Sequence, residues 1–533
     1  MLRAWLVVPV LVIATADARQ SPWTSDLGNG RYANPVLHAD YSDPDAIRVG
    51  DAYYMTASSF ASVPGLPILK STDLVNWELV GHALRRLVPE DAFALPQHGK
   101  GVWAPAIRHH AGRFWIYYPD PDRGIYAVTA SDPTREWSAP ALVKAGKGLI
   151  DPCPLWDDDG RVYLVHAWAR SRAGFANVLT LNRLTDDGLH VADEGRVIVN
   201  GDELPGYTTL EGPKIYKRGG YYWIFAPAGG VQRGWQSVFR SRAIDGPYES
   251  RIVLRQGTTA INGPHQGAWV EDAHGRHWFV HFQDKDAYGR VVHLQPMSWT
   301  SDGWPAVGVN QDREGTGEPV LDWRKPESHS SVRVAPPTSD EFNGAALGLQ
   351  WQWQANPRRE WMSLQHGVLR LNVWPLDTSN LWLAPNLLLQ KWPAPEFDVT
   401  AAVTFAPARA GESTGLIVFG RDYAWLGITE TPSGVRLSLR IVKDADAAGT
   451  EREVAGVARV PRTIYLRVGV RDGARCSFSY STDNVTFVPI AYEFTGRQGV
   501  WVGARVGLFA RGAAGPSAGH ADWEWFRVAA PVR

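Results

Sequence analysis

Three acidic residues stand at the start of short apolar runs that have the pattern of a β-strand. Glu211 precedes "GPKIYKRGGYYWIF", Asp151 opens "DPCPLWDDDGRVYLVHA", and Asp43 opens "DPDAIRVGDAYYMTAS". Acidic residues are depleted in strands, so an acid that leads into a buried strand needs a reason. Acidic side chains that lie close together can divide the roles of general acid and general base, because burial and repulsion move their pKa values apart.

These three segments belong to a set of five that share one layout. Each has a distinctive leading residue, a short apolar strand, a turn with glycine and an aromatic-rich second strand. The leading residues are Asp43, Trp103, Asp151, Glu211 and His265, and the turn glycines are Gly50, Gly112, Gly160, Gly219 and Gly275. A weaker pair of strands follows each hairpin. The spacing of roughly 50–60 residues predicts an all-β chain with a five-bladed β-propeller over residues 30–325.

A propeller brings the five leading residues to one place. Its innermost strands run along the central axis, so residues at the same end of equivalent strands converge on one mouth of the channel. Three carboxylates, an indole and an imidazole at that mouth fit an active site better than a structural core. Because the carboxylates repel one another, the pKa of at least one of them is expected to rise.

Length and composition limit the class of protein. A chain of 533 residues is too long for one core and predicts two domains. A net charge of -1 argues against nucleic acid as a partner. The 25 Trp and 18 Tyr can pack on sugar rings or fill β cores. The cysteines, Cys153 and Cys476, lie far apart in the chain and are predicted to be unpaired, and no Cys or His cluster has the spacing of a zinc site.

The N-terminus has the pattern of a secretory signal peptide over residues 1–18. The segment "MLRAWLVVPVLVIATADARQ" has one Arg, an apolar run that is too short to span a membrane, and a small-x-small cleavage site at Ala16-Asp17-Ala18. We therefore expect an exported protein, periplasmic or extracellular, with no membrane partner.

A Ser- and Pro-rich linker is predicted over residues 326–337, followed by a β-sandwich over residues 338–533. The sandwich contains alternating tryptophans, which fill a core more often than they bind sugar: Trp351, Trp353, Trp523 and Trp525. Glu341 and Asp522 could help to hold a structural calcium ion. Solvated loop acids explain these two residues equally well.

The motifs resemble glycoside hydrolase family 43, in its β-xylosidase and α-L-arabinofuranosidase branch. The resemblance rests on "NPVLHADYSDPDAIRVGDAYYMTASSF", "PGLPILKSTDLVNWELVGHAL", "GVWAPAIRHHAGRFWIYY" and "LEGPKIYKRGGYYWIF", and it covers nearly the whole mature chain. It implies a five-bladed propeller, a concanavalin-like (jelly-roll) C-terminal domain, and inverting hydrolysis of terminal xylose or arabinose with no required cofactor.

The resemblance also implies roles for the three acids. Asp43 corresponds to the general base, Glu211 to the general acid, and Asp151 to the residue that orients the acid and tunes its pKa. An inverting enzyme holds its base and acid roughly 6.5–9.5 Å apart, so that a water molecule fits between the base and the sugar. The usual "DPS" of the family is Asp43-Pro44-Asp45 here, which makes Asp45 a second candidate for the base.

Four further residues correspond to substrate-binding positions of the family. Phe60 and Trp103 match aromatic positions that wall the sugar pocket. His265 resembles the axial histidine that often sits beside water or a bound cation, and Arg290 resembles a substrate-contacting arginine.

Three functions stay open at this point. The first is an exo-acting glycosidase that releases α-L-arabinofuranose, β-D-xylose or both from plant hemicellulose, such as arabinoxylan, xyloglucan side chains or xylo-oligosaccharides. The second is an endo-arabinanase, which needs an open groove; the C-terminal domain argues against it, because in the resembling branch that domain helps to close the site. The third is a non-catalytic carbohydrate-binding propeller, which has no need of three converging carboxylates.

Overall fold

The computed structural model describes residues 21–327, 332–376, 378–513 and 515–531. The predicted signal peptide lies outside the described residues, as do residues 328–331 of the predicted linker. Strands dominate the described chain, and its helical elements are short. They are one α-helix, α1 (Arg170–Ala173), and five 3₁₀ turns: Gly201–Glu203, Asp286–Tyr288, Arg359–Trp361, Leu381–Leu383 and Ala445–Ala447.

Five four-stranded antiparallel sheets form the predicted propeller, and in each sheet the strands pair in chain order. Blade 1 contains β2 (Asp45–Val49), β3 (Ala52–Thr56), β4 (Gly65–Ser71) and β5 (Trp77–Leu84). Blade 2 contains β6 (Ala106–His110), β7 (Arg113–Asp120), β8 (Gly124–Ala130) and β9 (Ala141–Ala145). Blade 3 contains β10 (Leu149–Trp156), β11 (Val162–Trp168), β12 (Val178–Leu184) and β13 (Arg196–Asn200). Blade 4 contains β14 (Lys214–Arg218), β15 (Tyr221–Ala228), β16 (Trp235–Ser241) and β17 (Glu249–Leu254), and blade 5 contains β18 (His265–Glu271), β19 (His277–Asp284), β20 (Arg290–Trp299) and β21 (Pro305–Val307).

The five predicted turn glycines end the innermost strand of each blade. All five have a positive φ, between 60° and 80°, a conformation that glycine adopts without steric cost: Gly50, Gly112, Gly160, Gly219 and Gly275. Because each of these turns requires a glycine, the hairpins can be recognised in the sequence.

Apolar side chains from neighbouring blades pack against each other and hold the ring together. Between blades 1 and 5, for example, Met55 and Ala46 lie in one buried cluster with Val280 and Leu294. Near the two ends of the propeller segment, β1 (Arg31–Ala33) pairs antiparallel with β22 (Asp322–Arg324) in a separate two-stranded sheet.

Buried polar contacts link the innermost strands of successive blades. Asp45 of blade 1 accepts hydrogen bonds from Arg108 and from the backbone N–H of Ile107 in blade 2, both at 2.7 Å. Arg108 in turn donates to Cys153 Sγ of blade 3 at 2.8 Å. The hydroxyl of Tyr216 in blade 4 accepts from the backbone N–H of Trp269 in blade 5 at 3.1 Å.

Two sheets form the sandwich. The first contains β23 (Gln352–Trp353), β26 (Trp374–Pro375), β27 (Leu388–Lys391), β29 (Ser413–Phe419), β30 (Tyr423–Thr431), β31 (Gly434–Val442), β32 (Arg452–Val457) and β36 (Arg505–Gly512). The second contains β24 (Met362–Gln365), β25 (Val368–Asn372), β28 (Phe397–Ala406), β33 (Thr463–Arg471), β34 (Arg475–Ser481), β35 (Val488–Thr495) and β37 (His520–Ala529). The all-β fold, with a propeller followed by a sandwich, is confirmed.

The alternating tryptophans of the sandwich are core residues. Trp351, Trp353, Trp523 and Trp525 are each at most 9% exposed, so they fill the interior and do not present rings to a sugar. Cys153 and Cys476 are both buried and unpaired, as predicted.

The sandwich packs directly on the propeller. Val63 and Trp353 exchange two backbone hydrogen bonds, of 3.0 and 2.6 Å, which extend a strand-like contact across the boundary. Tyr288 of the propeller packs edge-on against Trp392, with 5.5 Å between ring centroids. His98 stacks on Trp382 with 3.6 Å between centroids. The position of sandwich loops relative to the propeller channel is therefore set by a packed interface.

Candidate active site

The five leading residues lie at or near the start of the innermost strands. Asp43, Trp103 and Glu211 precede β2, β6 and β14 by two or three residues, and His265 is the first residue of β18. Asp151 differs, because β10 begins two residues before it. The pairing of β10 with β11 is irregular between Ile150 and Cys153, so Asp151 sits at a break in the ladder.

Two of the three acids have a strained backbone. Asp43 and Asp151 both have φ of 55°, in the left-handed region that only a few per cent of non-glycine residues adopt. Aspartate tolerates this region better than most residues, because its side chain bonds locally. Such strain persists where the surroundings hold it, and it is frequent in functional sites.

Asp43 is surrounded by hydrogen-bond donors. Its Oδ2 accepts from the hydroxyls of Ser42 and Ser58, at 2.6 and 2.5 Å. The guanidinium of Arg290 donates to both carboxylate oxygens, at 3.1 and 3.2 Å. Asp43 is 4% exposed. An ionised carboxylate accepts hydrogen bonds only, so these donors and the positive charge suit a carboxylate that is ready to take a proton.

Asp45, the second candidate for the base, has a different environment. Its side chain is fully buried and forms the ion pair with Arg108 that joins blades 1 and 2. The structure therefore separates the two acids of "DPD", one at the mouth of the channel and one inside the blade interface.

Asp151 is coupled to the strand that follows Glu211. Its Oδ2 accepts a hydrogen bond of 2.7 Å from the backbone N–H of Gly212. Burial, followed by repulsion from Glu211 and from Asp43, raises the pKa of Asp151 to about 8. The expected rise thus falls on Asp151, which is 4% exposed. A pKa near 8 means that Asp151 keeps its proton at neutral pH.

Glu211 also contacts His265. The Oε1 of Glu211 lies 3.1 Å from Nε2 of this histidine, which is completely buried. The side chain of Glu211 is 21% exposed, so its carboxyl group reaches both the protein interior and the channel mouth.

Aromatic rings wall the site. Phe60 and Trp103 meet edge-on, with 6.2 Å between centroids. Trp501, from the sandwich, lies 6.0 Å from Trp103 on another side. The guanidinium carbon of Arg290 is 5.8 Å from the Trp501 ring and 4.9 Å from Phe282. All seven predicted site residues are therefore connected through direct contacts or electrostatic coupling in one region.

Two family models match the chain. Residues 32–305 match the family described as Glycosyl hydrolases family 43, and residues 339–529 match the Beta xylosidase C-terminal Concanavalin A-like domain. The chain belongs to glycosyl hydrolase family 43. It is a glycosidase, an enzyme that hydrolyses O-glycosyl bonds.

Two relatives match this family 43 enzyme over more than nine-tenths of its length. A Beta-xylosidase of Formosa agariphila is 31% identical over 96% of this chain and 92% of its own. A non-reducing end alpha-L-arabinofuranosidase of Bacteroides ovatus is 28% identical over 94% of this chain and 95% of its own. Among solved structures, a family 43 protein from Bacillus licheniformis has a TM-score of 0.81 at 26% identity, covering 94% of this chain and 100% of its own.

Three features of the family 43 site were missed from sequence. Trp501 lies in a loop of the sandwich, outside the repeats. Its motif "GVWVG" contains no residue type that indicates a functional role. Ser42 and Ser58 look like ordinary strand-end serines. Asp40 joins the two domains at the site: its carboxylate accepts from the backbone N–H of Arg290 and of Gly503, both at 2.9 Å.

The residues named for calcium do not fit a calcium site. Glu341 forms two hydrogen bonds of 2.7 and 2.8 Å with Arg527, and Asp522 does the same with Arg370. These arginines occupy the oxygens that a cation would need. In the described part of the family 43 enzyme, no group of three or more His, Cys, Asp or Glu is arranged to hold a metal ion.

Proposed function

We propose that this glycosidase is an exo-acting, inverting enzyme that releases terminal α-L-arabinofuranose, β-D-xylose or both from plant hemicellulose. One observation carries the proposal. A donor-surrounded carboxylate, Asp43, lies at the same channel mouth as two further carboxyl groups, Asp151 and Glu211, and burial and repulsion raise the pKa of Asp151. One acid group ready to accept a proton and another ready to donate one are what single-step hydrolysis needs.

In the proposed reaction, a water molecule attacks the anomeric carbon of the terminal sugar as the glycosidic C–O bond breaks. Asp43 takes a proton from that water. Glu211 gives a proton to the departing oxygen, so that one water is consumed and two hydroxyl groups result. Asp151 acts through Glu211, because it accepts the hydrogen bond of the Gly212 N–H beside Glu211 and the two carboxyl groups are close enough to repel each other. Arg290 holds Asp43 in place and lies close enough to Trp501 to border the sugar.

The exo mode is supported by what covers the mouth. Trp501 comes from the sandwich, and its loop is tied to the propeller through Gly503 and Asp40 and through a 2.7 Å bond from Ala504 N to Ala287 O. A wall at this position limits the site to the end of a chain, whereas an endo-arabinanase needs a groove open at both ends.

The sugar class is supported by the relatives, which bear the names beta-xylosidase and alpha-L-arabinofuranosidase. The two sugars present similar hydroxyl positions to one pocket, so both belong to the proposal. The substrate is a plant-derived oligosaccharide or polysaccharide, and the reaction requires no cofactor. No helix in the described residues is long and apolar enough to cross a membrane. The signal-peptide pattern supports export to the periplasm or the outside of the cell.

The test is hydrolysis of 4-nitrophenyl α-L-arabinofuranoside and 4-nitrophenyl β-D-xyloside, followed by product analysis on arabinoxylan, linear arabinan and xylo-oligosaccharides. Free monosaccharide as the first product supports exo action. Internal cleavage of arabinan into oligosaccharides would favour the endo-arabinanase. Sugar binding without hydrolysis of any of these substrates would favour a binding protein. Full activity after EDTA treatment is the expected result for a cofactor-free site.

A further inference from the structure

Asp40 is a buried carboxylate at the boundary between the propeller and the sandwich, and it is 6% exposed. Its two oxygens accept hydrogen bonds from different domains, Oδ1 from the backbone N–H of Arg290 and Oδ2 from that of Gly503, both at 2.9 Å. The side chain of Arg290 donates to both oxygens of Asp43. Gly503 follows Trp501 by two residues. One carboxylate therefore connects the residue that holds the proposed base to the loop that supplies the aromatic wall.

The backbones of the two domains touch beside this carboxylate. A β-carbon on Gly503 would lie 2.8 Å from the backbone nitrogen of Gly289, inside the van der Waals distance of about 3.5 Å. Gly289 has φ of 73°, and a β-carbon there would lie 2.6 Å from Cγ of Asp40. Ala504 donates to the backbone oxygen of Ala287 at 2.7 Å. The loop is therefore fixed by close backbone contacts, and an added methyl group at Gly503 should displace it.

The negative charge of Asp40 also acts on two cations of the sandwich. Lys391 and Arg505 are cross-strand neighbours on β27 and β36. Burial lowers the pKa of both residues, and the charge of Asp40 opposes this change. Arg505 begins the strand that follows the Trp501 loop. An asparagine in place of Asp40 would have one oxygen acceptor instead of two and no charge, so it could not hold both domains in the same way.

Another buried polar side chain crosses the same boundary at a different place. Asn356 of the sandwich is 2% exposed. Its Nδ2 donates to the backbone oxygens of Leu87 and Glu90, at 3.0 and 3.2 Å, and its Oδ1 accepts from the backbone N–H of Leu87 at 2.8 Å. These partners lie outside the Trp501 loop, so Asn356 provides a matched control for Asp40.

We propose that Asp40 is a positioning residue, which sets the place of Trp501 against the sugar and, through Arg290, the place of Asp43 against the attacking water. The inference rests on the proposed function, in which the terminal sugar binds between this wall and the three acids. It adds that the sandwich contributes to substrate affinity through a buried carboxylate of the propeller. Displaced binding groups and displaced catalytic groups change KM and kcat in different proportions, so the two effects can be measured separately.

The experiment is a double-mutant cycle in the full chain, with kcat and KM measured on the nitrophenyl glycoside that the enzyme hydrolyses faster. Gly503→Ala keeps the charge of Asp40 and should raise KM by about 3–10-fold, with kcat within about 2-fold of wild type. Trp501→Ala should raise KM by about 10-fold. The double variant should have the KM of Trp501→Ala within about 2-fold, because both changes act through one ring, whereas independent effects would multiply to about 30–100-fold.

Asp40→Asn should change both kinetic parameters. We expect KM to rise by about 10-fold through the Trp501 loop and kcat to fall by about 10-fold through Arg290 and Asp43. In the Trp501→Ala background, Asp40→Asn should leave KM within about 2-fold and still lower kcat. A residue that only stabilised the fold would lower Tm and leave KM of the folded enzyme unchanged.

Asn356→Ala is the control, with a lower Tm and KM within about 2-fold of wild type. Gly503→Ala keeps the test decisive if Asp40→Asn does not fold. Unchanged KM in either folded variant, or effects on KM that multiply with that of Trp501→Ala, would overturn the inference and leave the proposed function intact. Unchanged KM in Trp501→Ala itself would overturn both the proposed sugar wall and this inference.

Discussion

Asp151 accepts a hydrogen bond of 2.7 Å from the backbone N–H of Gly212, the residue that follows Glu211. This contact ties one acid of the site to the peptide unit that carries the other. Repulsion from Glu211 also contributes to the raised pKa of Asp151, so the two acids are coupled through this bond and through charge.

Asp151→Asn should move the alkaline limb of the kcat/KM profile to lower pH. Without the Asp151 carboxylate, the pair loses the repulsion that helps it to retain a proton. The limb reports the acid of the free enzyme, so the pH profile of the variant against wild type is the measurement. An alkaline limb at the same pH as in wild type would mean that Asp151 does not affect the pKa of the general acid.

The same variant should be more stable than wild type at alkaline pH. The pKa of Asp151 in the folded chain is about 8, above its ordinary value of 3.8, so as the pH rises the unfolded chain loses this proton first. Wild type therefore loses stability between these two pH values, and the asparagine variant does not. We expect Tm of Asp151→Asn to exceed that of wild type by about 2–5 °C at pH 8, with a smaller gap at pH 5. A gap that is constant with pH would contradict this account.

Asp43→Asn should lower kcat/KM by about 10²–10⁴-fold, because the shape is kept and the base is lost. A substrate with a good leaving group should not restore activity, since the water still has to lose its proton. Kinetics on both nitrophenyl substrates provide the measurement.

Asp45→Asn is the matched control for Asp43. It breaks a buried ion pair with Arg108, so it should reduce the free energy of unfolding by about 3 kcal/mol while the folded fraction keeps near-normal kcat/KM. If Asp43→Asn stays active and folded Asp45→Asn is inactive, the general base is Asp45 and the assignment to Asp43 is wrong.

Glu211→Gln should discriminate between leaving groups. Natural xylo-oligosaccharides need protonation of the departing oxygen, and their hydrolysis should fall by about 10²–10⁴-fold. Dinitrophenyl glycosides need little proton donation and should lose about 10-fold or less. Equal losses on both substrates would argue that Glu211 is not the proton donor.

Trp501→Ala should raise KM by about 10-fold, the equivalent of about 1.4 kcal/mol, with a smaller effect on kcat. The ring lies 6.0 Å from Trp103 and forms part of the wall, but it does not contact the acids. Trp501→Phe keeps an aromatic ring and is the control, with KM within about 3-fold of wild type. Unchanged KM in Trp501→Ala would mean that the sandwich does not border the sugar.

Much of the fold was predictable because its signals are local. Each blade begins with a glycine-turn hairpin such as that at Gly219, and the repeat of this unit specifies the propeller and the convergence of its leading residues. The separate environments of Asp43 and Asp45 were not predictable, because both acids belong to one short motif and only the contact with Arg108 distinguishes them. Trp501 depends on how two domains pack, and no pattern near it in sequence encodes that interface. The pKa of Asp151 rises mainly because this residue is buried, and its burial depends on the packing of the assembled propeller, which no motif around Asp151 specifies.

We propose that Asp43 and Glu211 act as separate base and acid in a single displacement. Proton NMR of the sugar released within minutes of mixing tests it most directly, because the anomeric proton reports configuration before mutarotation. We expect the first sugar to appear to have the anomeric configuration opposite to that of the substrate. A first product of retained configuration would require a covalent glycosyl-enzyme intermediate and would contradict the role assigned to Asp43.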